Sequence, residues 1–360
     1  MIIRRVECVI CTNSPLVSIA KLQDFPIRCC SDTKEKHDIF WNMEIGVCNQ
    51  CGSLHQMNLL DLDILYGGKY ILNTTYSKDW LRHYDEFALF IKKNINQEAS
   101  IVEIGSSSHI LLDRLIDHYP NYTIFDFSLD TVTMPKEHVK YIEGNCEKFI
   151  FDPKDVIVMS HVFEHLYNPK VFINNCMKNN VKYILLSIPN MNNPSTIHIA
   201  REHTFTYNDS DIMYLFGKYR YECIERVLFK DNHSIFYCFC LSNHIISIPR
   251  INKSEGYQRT KEFLNSTITV PPDTYLLGAG YHSQCIYANI TNKENIIGIV
   301  DNDKTKQNKY FFNTSLQIQP FSVFADIPYG NALIFSNRYF TDEIIQQIKN
   351  INHRINIIYI

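Results

Sequence analysis

Between residues 100 and 241, short apolar runs alternate with stretches patterned as helices, and no other feature narrows the possible folds so far. The runs cover 100–104, 122–127, 155–159, 182–188, 225–229 and 234–240. Between the early ones lie ILLDRLIDHY (110–119) and PKVFINNCMKN (169–179), with apolar residues at helical spacing. This rhythm predicts βαβ units and a parallel, doubly wound α/β sheet. The last two runs follow each other closely, which predicts an antiparallel edge. After a polar stretch at 252–260, strand, loop and helix patterns resume with YLLGAG from residue 275, then at 296–301 and 332–337, and in the closing INIIYI. Three units are therefore expected: an N-terminal metal-binding unit over 1–75, a central α/β unit over 76–250 and a smaller α/β unit over 251–360. A chain of 360 residues is long enough for each to bury its own core.

Composition excludes several classes. Thirty-five basic residues against 38 acidic ones give a net charge of -3, so there is no electrostatic footprint for nucleic acid and no polybasic membrane patch. No apolar run approaches the roughly 20 residues of a membrane span. The N-terminus carries two arginines but no apolar core behind them, unlike a secretory signal. Twelve cysteines without such a signal suggest reduced thiols in the cytoplasm, some of them holding a metal. Monomer and homodimer both remain open.

The first unit holds Cys8-Val-Ile-Cys11 and Cys48-Asn-Gln-Cys51. A Cys-x-x-Cys spacing turns two thiolates onto one ion, and two such pairs close a tetrahedral zinc site with no open position. Zinc at Cys8, Cys11, Cys48 and Cys51 would therefore be structural. Gly52 suits the tight turn after the second pair. The adjacent Cys29 and Cys30 are poorly spaced for chelating one ion.

In an open parallel sheet, ligands sit beyond the carboxyl ends of the strands. The first run there ends at Glu103 and Gly105, followed by Ser106, Ser107, Ser108 and His109. The next offers Asp126, able to accept both hydroxyls of a ribose. Then come Asn145 and Cys146, placed to meet an adenine, and His161 after the following strand. A dinucleotide pyrophosphate needs more glycine than this loop has. A sulfonium nucleoside, S-adenosylmethionine, needs less.

Taken in order, these motifs resemble the zinc-binding sugar-nucleotide C-methyltransferases, over nearly the whole chain. The resemblance is carried by the paired cysteines with CGSLHQ (51–56), by NTTYSKDWLRHY (73–84), VEIGSSSHILL (102–112), SHVFEHLYNP (160–169) and REHTFTY (201–207). In the last unit it is carried by YLLGAG, IVDNDKTKQNKY (299–310) and SNRYFTDEII (336–345). It implies a class I, Rossmann-like methyltransferase unit and a C-terminal Rossmann-like unit. The implied reaction is methyl transfer from S-adenosylmethionine to a carbon of a nucleotide-linked 4-keto-deoxysugar. His203 would be the base that removes the proton beside the ketone. Glu202 would orient His203 or contact the sugar, and Tyr76 would hydrogen-bond the ketone or enolate oxygen. Lys306 and Asn337 would contact the nucleotide-sugar. Two departures stand out: Ser107-Ser108-His109 where the family has Asn-Asp-Gly, and Ala200 where it often has tyrosine.

Rival readings are a non-catalytic nucleotide-sugar binder with a degenerate loop, O- or N-methylation of a sugar, and a zinc-ribbon nucleic-acid module that the charge disfavours. His161-Val-Phe-Glu164-His165 matches an inverted zinc-peptidase pattern. That motif must lie within one helix, whereas here a helix is expected to begin only near Phe163. Gly278-Ala279-Gly280 lacks a third glycine and reads as a structural turn.

Overall fold

The structure is a computed structural model that describes residues 2–11, 14–34, 40–66, 78–106, 109–129, 135–191, 201–229, 233–244, 246–248, 257–334 and 338–360. The N-terminal elements are β1 (Ile2–Arg4), β2 (Leu16–Pro26), β3 (Cys30–Ser31), β4 (Phe40–Cys48), β5 (Leu54–Gln56), β6 (Asn58–Leu60) and α1 (Leu62–Tyr66). β2, β4 and β5 form an antiparallel sheet over a core of Phe25, Ile27, Trp41, Met43 and Ile45. Trp41 is buried, and its indole N–H donates to the Asn58 carbonyl at 3.0 Å.

The central elements are α2 (Lys78–Asn94), β7 (Ser100–Ile104), α3 (Ile110–Leu115), β8 (Asn121–Asp126), β9 (Val139–Glu143), β10 (Asp155–Ser160), α4 (Pro169–Lys178), β11 (Tyr183–Pro189), α5 (Asp209–Gly217), β12 (Tyr221–Leu228) and β13 (Ser234–Leu241). Their seven strands stand in the order β12-β13-β11-β10-β7-β8-β9. β9, β8, β7, β10 and β11 run parallel, and β13 and β12 turn antiparallel, as the two closely spaced runs implied. Side chains alternate between the faces. Ile101, Ile124, Val156, Val158 and Leu185 meet α2 and α3, whereas Val102, Ile104, Phe125, Ile157 and Met159 meet α4 and α5. The doubly wound sheet is thus covered on both faces. The switch point lies between β7 and β10, where the strand order reverses.

β9 had no counterpart among the apolar runs. Its residues are exposed or half-buried, so they carry no apolar run to read. Behind β7, helix runs only from Ile110 to Leu115, shorter than the patterned stretch. Residues 163–165 form a single 3-10 turn instead of the start of a long helix, and His161 lies before it with φ of 54°.

The last elements are α6 (Tyr257–Leu264), β14 (Thr274–Leu277), α7 (Tyr281–Asn289), β15 (Ile296–Val300), β16 (Tyr310–Phe311), β17 (Ile318–Gln319), β18 (Gly330–Ile334), α8 (Arg338–Ile351) and β19 (Ile355–Tyr359). Five strands, in the order β17-β15-β14-β18-β19, form an all-parallel sheet. β16 pairs with β3 of the N-terminal segment, so the two ends of the chain are hydrogen-bonded to each other. Among the described residues, no helix is long and apolar enough to cross a membrane.

Candidate functional site

The four cysteines of the paired motifs converge. Cys8, Cys11, Cys48 and Cys51 are buried, and their sulfurs all lie within 4.8 Å of one another. Cys8 Sγ stands 3.7 Å from Cys51 Sγ, and Cys11 Sγ 3.4 Å from Cys48 Sγ. Those separations are far too long for disulfides. They approach the ~3.8 Å edge of a sulfur tetrahedron drawn around one ion at 2.3 Å. Gly52 takes φ of 78° and its N–H donates to the Cys48 carbonyl at 2.8 Å, which turns Cys51 back toward Cys48. Lys170 of α4 donates to the carbonyls of Cys8 and Cys11 at 3.0 and 2.5 Å. A cation thus sits against a cluster of potential thiolates. The set fits a closed zinc site.

At the switch point, β7 ends in a tight turn. Gly105 has φ of 79°, and its N–H donates to the Phe125 carbonyl at 2.9 Å. A Cβ built there would lie 2.4 Å from Val162 Cγ2, so only glycine lets the loop pass between β7 and the residues after β10. The turn after β7 is therefore packed tightly against Val162. Ser106 is buried behind Gly105. Glu103 is buried too, on the α2–α3 face, where the Tyr122 hydroxyl donates to it at 2.6 Å. Burial pushes its carboxyl up to about 7, with Tyr122 and Ser106 pulling it partly back. Glu103 thus underpins the loop from below.

Asp126 stands at the carboxyl end of β8, half-buried, beside Glu143 of β9. Burial pushes its carboxyl up to about 6, against the backbone N–H groups of Phe127 and Ser128. A pair of ribose hydroxyls would add donors to those two backbone groups. Tyr66 of α1 is enclosed nearby, its ring 5.9 Å from that of Phe127, and Asp126 and Glu202 both act on its hydroxyl. Asn145 uses its side-chain oxygen to accept from the Glu147 N–H at 2.9 Å, a local turn. Cys146 is packed in the core, and burial raises its thiol.

His161 follows β10 directly. Its N–H donates to the Ser187 carbonyl at 2.8 Å, which holds a left-handed backbone that a non-glycine residue adopts only at a cost. Its Nε2 lies 3.0 Å from Ser234 Oγ, and its Nδ1 faces Glu164 at 3.5 Å. Trp80, His83 and His233 pack around it, with ring centroids 4.8, 5.2 and 5.6 Å away. His83 is fully buried and burial drives its imidazole well below the usual range, while His233 is pushed down to about 3 for the same reason. No sequence pattern marked this histidine–tryptophan cluster, because it draws on α2, β10 and the start of β13.

The segment after residue 200 carries the Glu-His pair. Thr204 N–H donates to the Glu164 carbonyl at 3.0 Å, Gln56 N–H to the Thr204 carbonyl at 3.0 Å, and Thr206 N–H to the Leu54 carbonyl at 2.8 Å. His55 and Phe205 pair as an antiparallel bridge. Residues 204–206 therefore lie alongside β5. His203 Nε2 stands 4.0 Å from Glu164 Oε1, and donor atoms of Glu164, His165 and His203 all lie within 4.8 Å of one another.

Glu202 points elsewhere. Its Oε1 accepts from Arg201 Nε at 2.8 Å and from the Tyr281 hydroxyl of α7 at 2.9 Å. Despite complete burial, Arg201 and His165 hold this carboxyl below its ordinary range. The Arg201 guanidinium also lies over the Tyr281 ring, 5.0 Å from its centre, and bonds the Ile27 carbonyl. Lys306 sits 3.4 Å from Asp301 and 3.8 Å from Asp303. Lys306, Arg201 and Glu202 all act on the Cys29 thiol, so motifs from the N-terminal, central and C-terminal parts share one neighbourhood. Tyr76, Ser107 and Asn337 lie outside the described residues. Glu164 went unnoticed as a functional group in the sequence, where it appeared only as part of a rejected peptidase pattern.

No protein-family model matches the chain, and no curated protein matches it. Among solved structures, the chain is similar to magnesium protoporphyrin IX methyltransferase (ChlM) from Synechocystis PCC 6803 with bound SAH. The identity is 11%, the match covers 49% of this chain and 90% of that one, and the TM-score is 0.37. It is also similar to the glycopeptide N-methyltransferase MtfA complexed with SAM, at 11% identity, 44% and 94% coverage and a TM-score of 0.36. A third likeness is to PH0226 from Pyrococcus horikoshii OT3, at 8% identity, 47% and 94% coverage and a TM-score of 0.39.

Proposed function

We propose that this protein is an S-adenosylmethionine-dependent methyltransferase that adds a methyl carbon to a nucleotide-linked 4-keto-deoxysugar. The observation that carries the reading is one shared strand edge. The Gly105 turn, the Asp126 carboxylate and the His203–Glu164 pair all stand beyond the carboxyl ends of the central sheet. The left-handed Gly105 turn after β7 and the Asp126 carboxylate at the end of β8 fit the cofactor. When bound, S-adenosylmethionine supplies an electrophilic methyl group.

The chain's own residues would do the rest. Asp126 holds the ribose hydroxyls, and Gly105 admits the methionine end. His203 takes the proton from the carbon beside the ketone as a general base. Tyr76 polarises the ketone in this reading. The sugar-nucleotide lies toward α7, where Glu202, Tyr281 and Lys306 gather, with Asn337 assigned there by resemblance. The zinc at Cys8, Cys11, Cys48 and Cys51 is structural.

Calorimetry with S-adenosylmethionine, followed by mass spectrometry of labelled methyl transfer to a panel of 4-keto nucleotide-sugars, tests this reading. Micromolar cofactor binding and a carbon-linked label are expected. Absence of cofactor binding below millimolar concentration would leave a nucleotide-sugar binder. A label on oxygen or nitrogen, without exchange of the sugar C–H in deuterated water, would instead assign O- or N-methylation.

A further inference from the structure

One charged group beside the base has no role in the reaction so far. Glu164 is wholly buried, and the nearest donor to its carboxylate is His161 Nδ1 at 3.5 Å, at the outer limit of a hydrogen bond. A buried carboxylate left so bare costs several kcal/mol unless positive charge stands near it. What surrounds it is three imidazoles and a phenol: His161 Nδ1 at 3.5 Å, His203 Nε2 at 4.0 Å, the adjacent His165, and the buried Tyr207. Burial works against the charge, yet His161, His165 and His203 together hold the carboxyl down at about 2. His165 cannot be the lasting cation, because burial pushes its imidazole down to about 4. Its ring instead lies along that of His203, with centroids 5.4 Å apart. Glu202, the acidic neighbour in the Glu-His pair, is engaged with Arg201 and Tyr281.

We infer that Glu164 is the positioning carboxylate for His203. Its Oε1 faces Nε2 and fixes the proton there, so that the lone pair lies on Nδ1. This inference rests on the methyltransferase reading only for the source of the proton. The substrate C–H proton passes to Nδ1, and the C–H electron pair stays behind as the enolate. The imidazolium that results stands beside the buried Glu164 carboxylate, which lowers the cost of forming it. The proton leaves to water along the exposed edge of His203, 20% of whose side chain is open to solvent. Glu164 also fixes the backbone it serves, since its carbonyl accepts from Thr204 N–H. The 4.0 Å separation is long for a hydrogen bond, as catalytic contacts often are before substrate binds.

The deciding measurement is the histidine tautomer, read by long-range 15N–1H correlation on full-length protein labelled in histidine, with His203 assigned by its loss in His203→Gln. The proton of His203 is expected on Nε2 in the parent protein near pH 8, and Glu164→Gln is expected to abolish that preference. On labelled S-adenosylmethionine and a nucleotide-linked 4-keto-6-deoxyhexose, Glu164→Gln should lower kcat/KM on the order of 100-fold, with cofactor affinity unchanged by calorimetry. Glu164→Asp should recover part of the loss. A His203 proton on Nδ1 in the parent overturns the inference even if Glu164→Gln does not fold. So does an unchanged His203 spectrum in that variant. So would a second metal ion per chain by elemental analysis, beyond the zinc of the four cysteines, since Glu164, His165 and His203 would then be its ligands. If the tautomer is fixed as expected but S-adenosylmethionine fails to bind, the methyltransferase reading falls and the positioning role stands.

Discussion

Replacing Gly105 by alanine perturbs the turn after β7 at a single atom. Two separate costs follow. The backbone stays at φ of 79°, and holding a Cβ in the left-handed region costs about 1–2 kcal/mol. The new methyl lies 2.4 Å from Val162 Cγ2, an overlap of the kind that costs about 1–3 kcal/mol when a packed region must shift. Together they amount to roughly 2–5 kcal/mol, or a fall in midpoint of about 5–15 °C. The two terms separate in a double-mutant cycle. Val162→Ala removes the atom that clashes but leaves φ untouched. In that background Gly105→Ala should cost only about 1–2 kcal/mol, giving a coupling of about 1–3 kcal/mol between the sites. Urea midpoints for the four proteins measure this, and calorimetry with S-adenosylmethionine should show affinity falling with Gly105→Ala in both backgrounds. An equal cost in both backgrounds would refute the steric argument. A cost below about 0.5 kcal/mol in the parent would refute the backbone argument as well.

Cys48→Ser should leave three sulfur ligands, abolish stoichiometric zinc by elemental analysis and lower solubility, because the binding energy of a structural zinc is folding energy. Zinc absent from parent protein purified without chelators would end that assignment. Asp126→Ala should weaken S-adenosylmethionine at least tenfold by calorimetry, the loss of a charge-assisted hydrogen-bond pair, while leaving urea stability unchanged or improved, since a carboxyl raised to about 6 opposes folding at neutral pH. His233 gives a pH test. Its folded value of about 3 lies below its ordinary 6.5, so the unfolded chain binds a proton that the folded chain refuses, and stability drains away as pH falls from about 6.5 toward 3. The parent should therefore lose about 2 kcal/mol relative to His233→Phe between pH 7 and pH 5. Parallel urea-midpoint curves for the two proteins would contradict this.

Much of the fold was legible because it rests on local pattern. The first four apolar runs lie on the parallel strands β7, β8, β10 and β11 and the last two on the antiparallel β12 and β13, and the run at 100–104 matches β7 residue for residue. The paired cysteines were equally plain, since their spacing is itself the geometry of chelation. β9 was invisible because a half-exposed edge strand carries no apolar run. The site was only partly legible. His161 and His203 could be nominated from motifs, but their meeting at Glu164 depends on residues 204–206 lying alongside β5. Such long-range backbone pairing leaves no mark in either segment alone. Glu202 looked like the natural companion of His203 because the two are adjacent. The chain bends at Arg201 and Glu202, and the Glu202 carboxylate meets Tyr281 instead.

The main-chain bonds that hold residues 204–206 run to β5 on one side and to Glu164 on the other. Arg5, next to the first cysteine pair, reaches the Thr204 carbonyl as well, and its second nitrogen donates to the Tyr167 carbonyl at 2.7 Å. The candidate base therefore does not belong to the central sheet in the way a strand-end residue does. Its position is inherited from a neighbour. The central α/β layer is for that reason not a transplantable module. Excised from residue 78 onward, or grafted onto another N-terminal segment, it would keep its seven strands and its cofactor turn but lose the register that sets His203 against Glu164. Exchange of parts among related chains would then preserve chemistry only when the cysteine-bearing segment and the Glu-His segment move together.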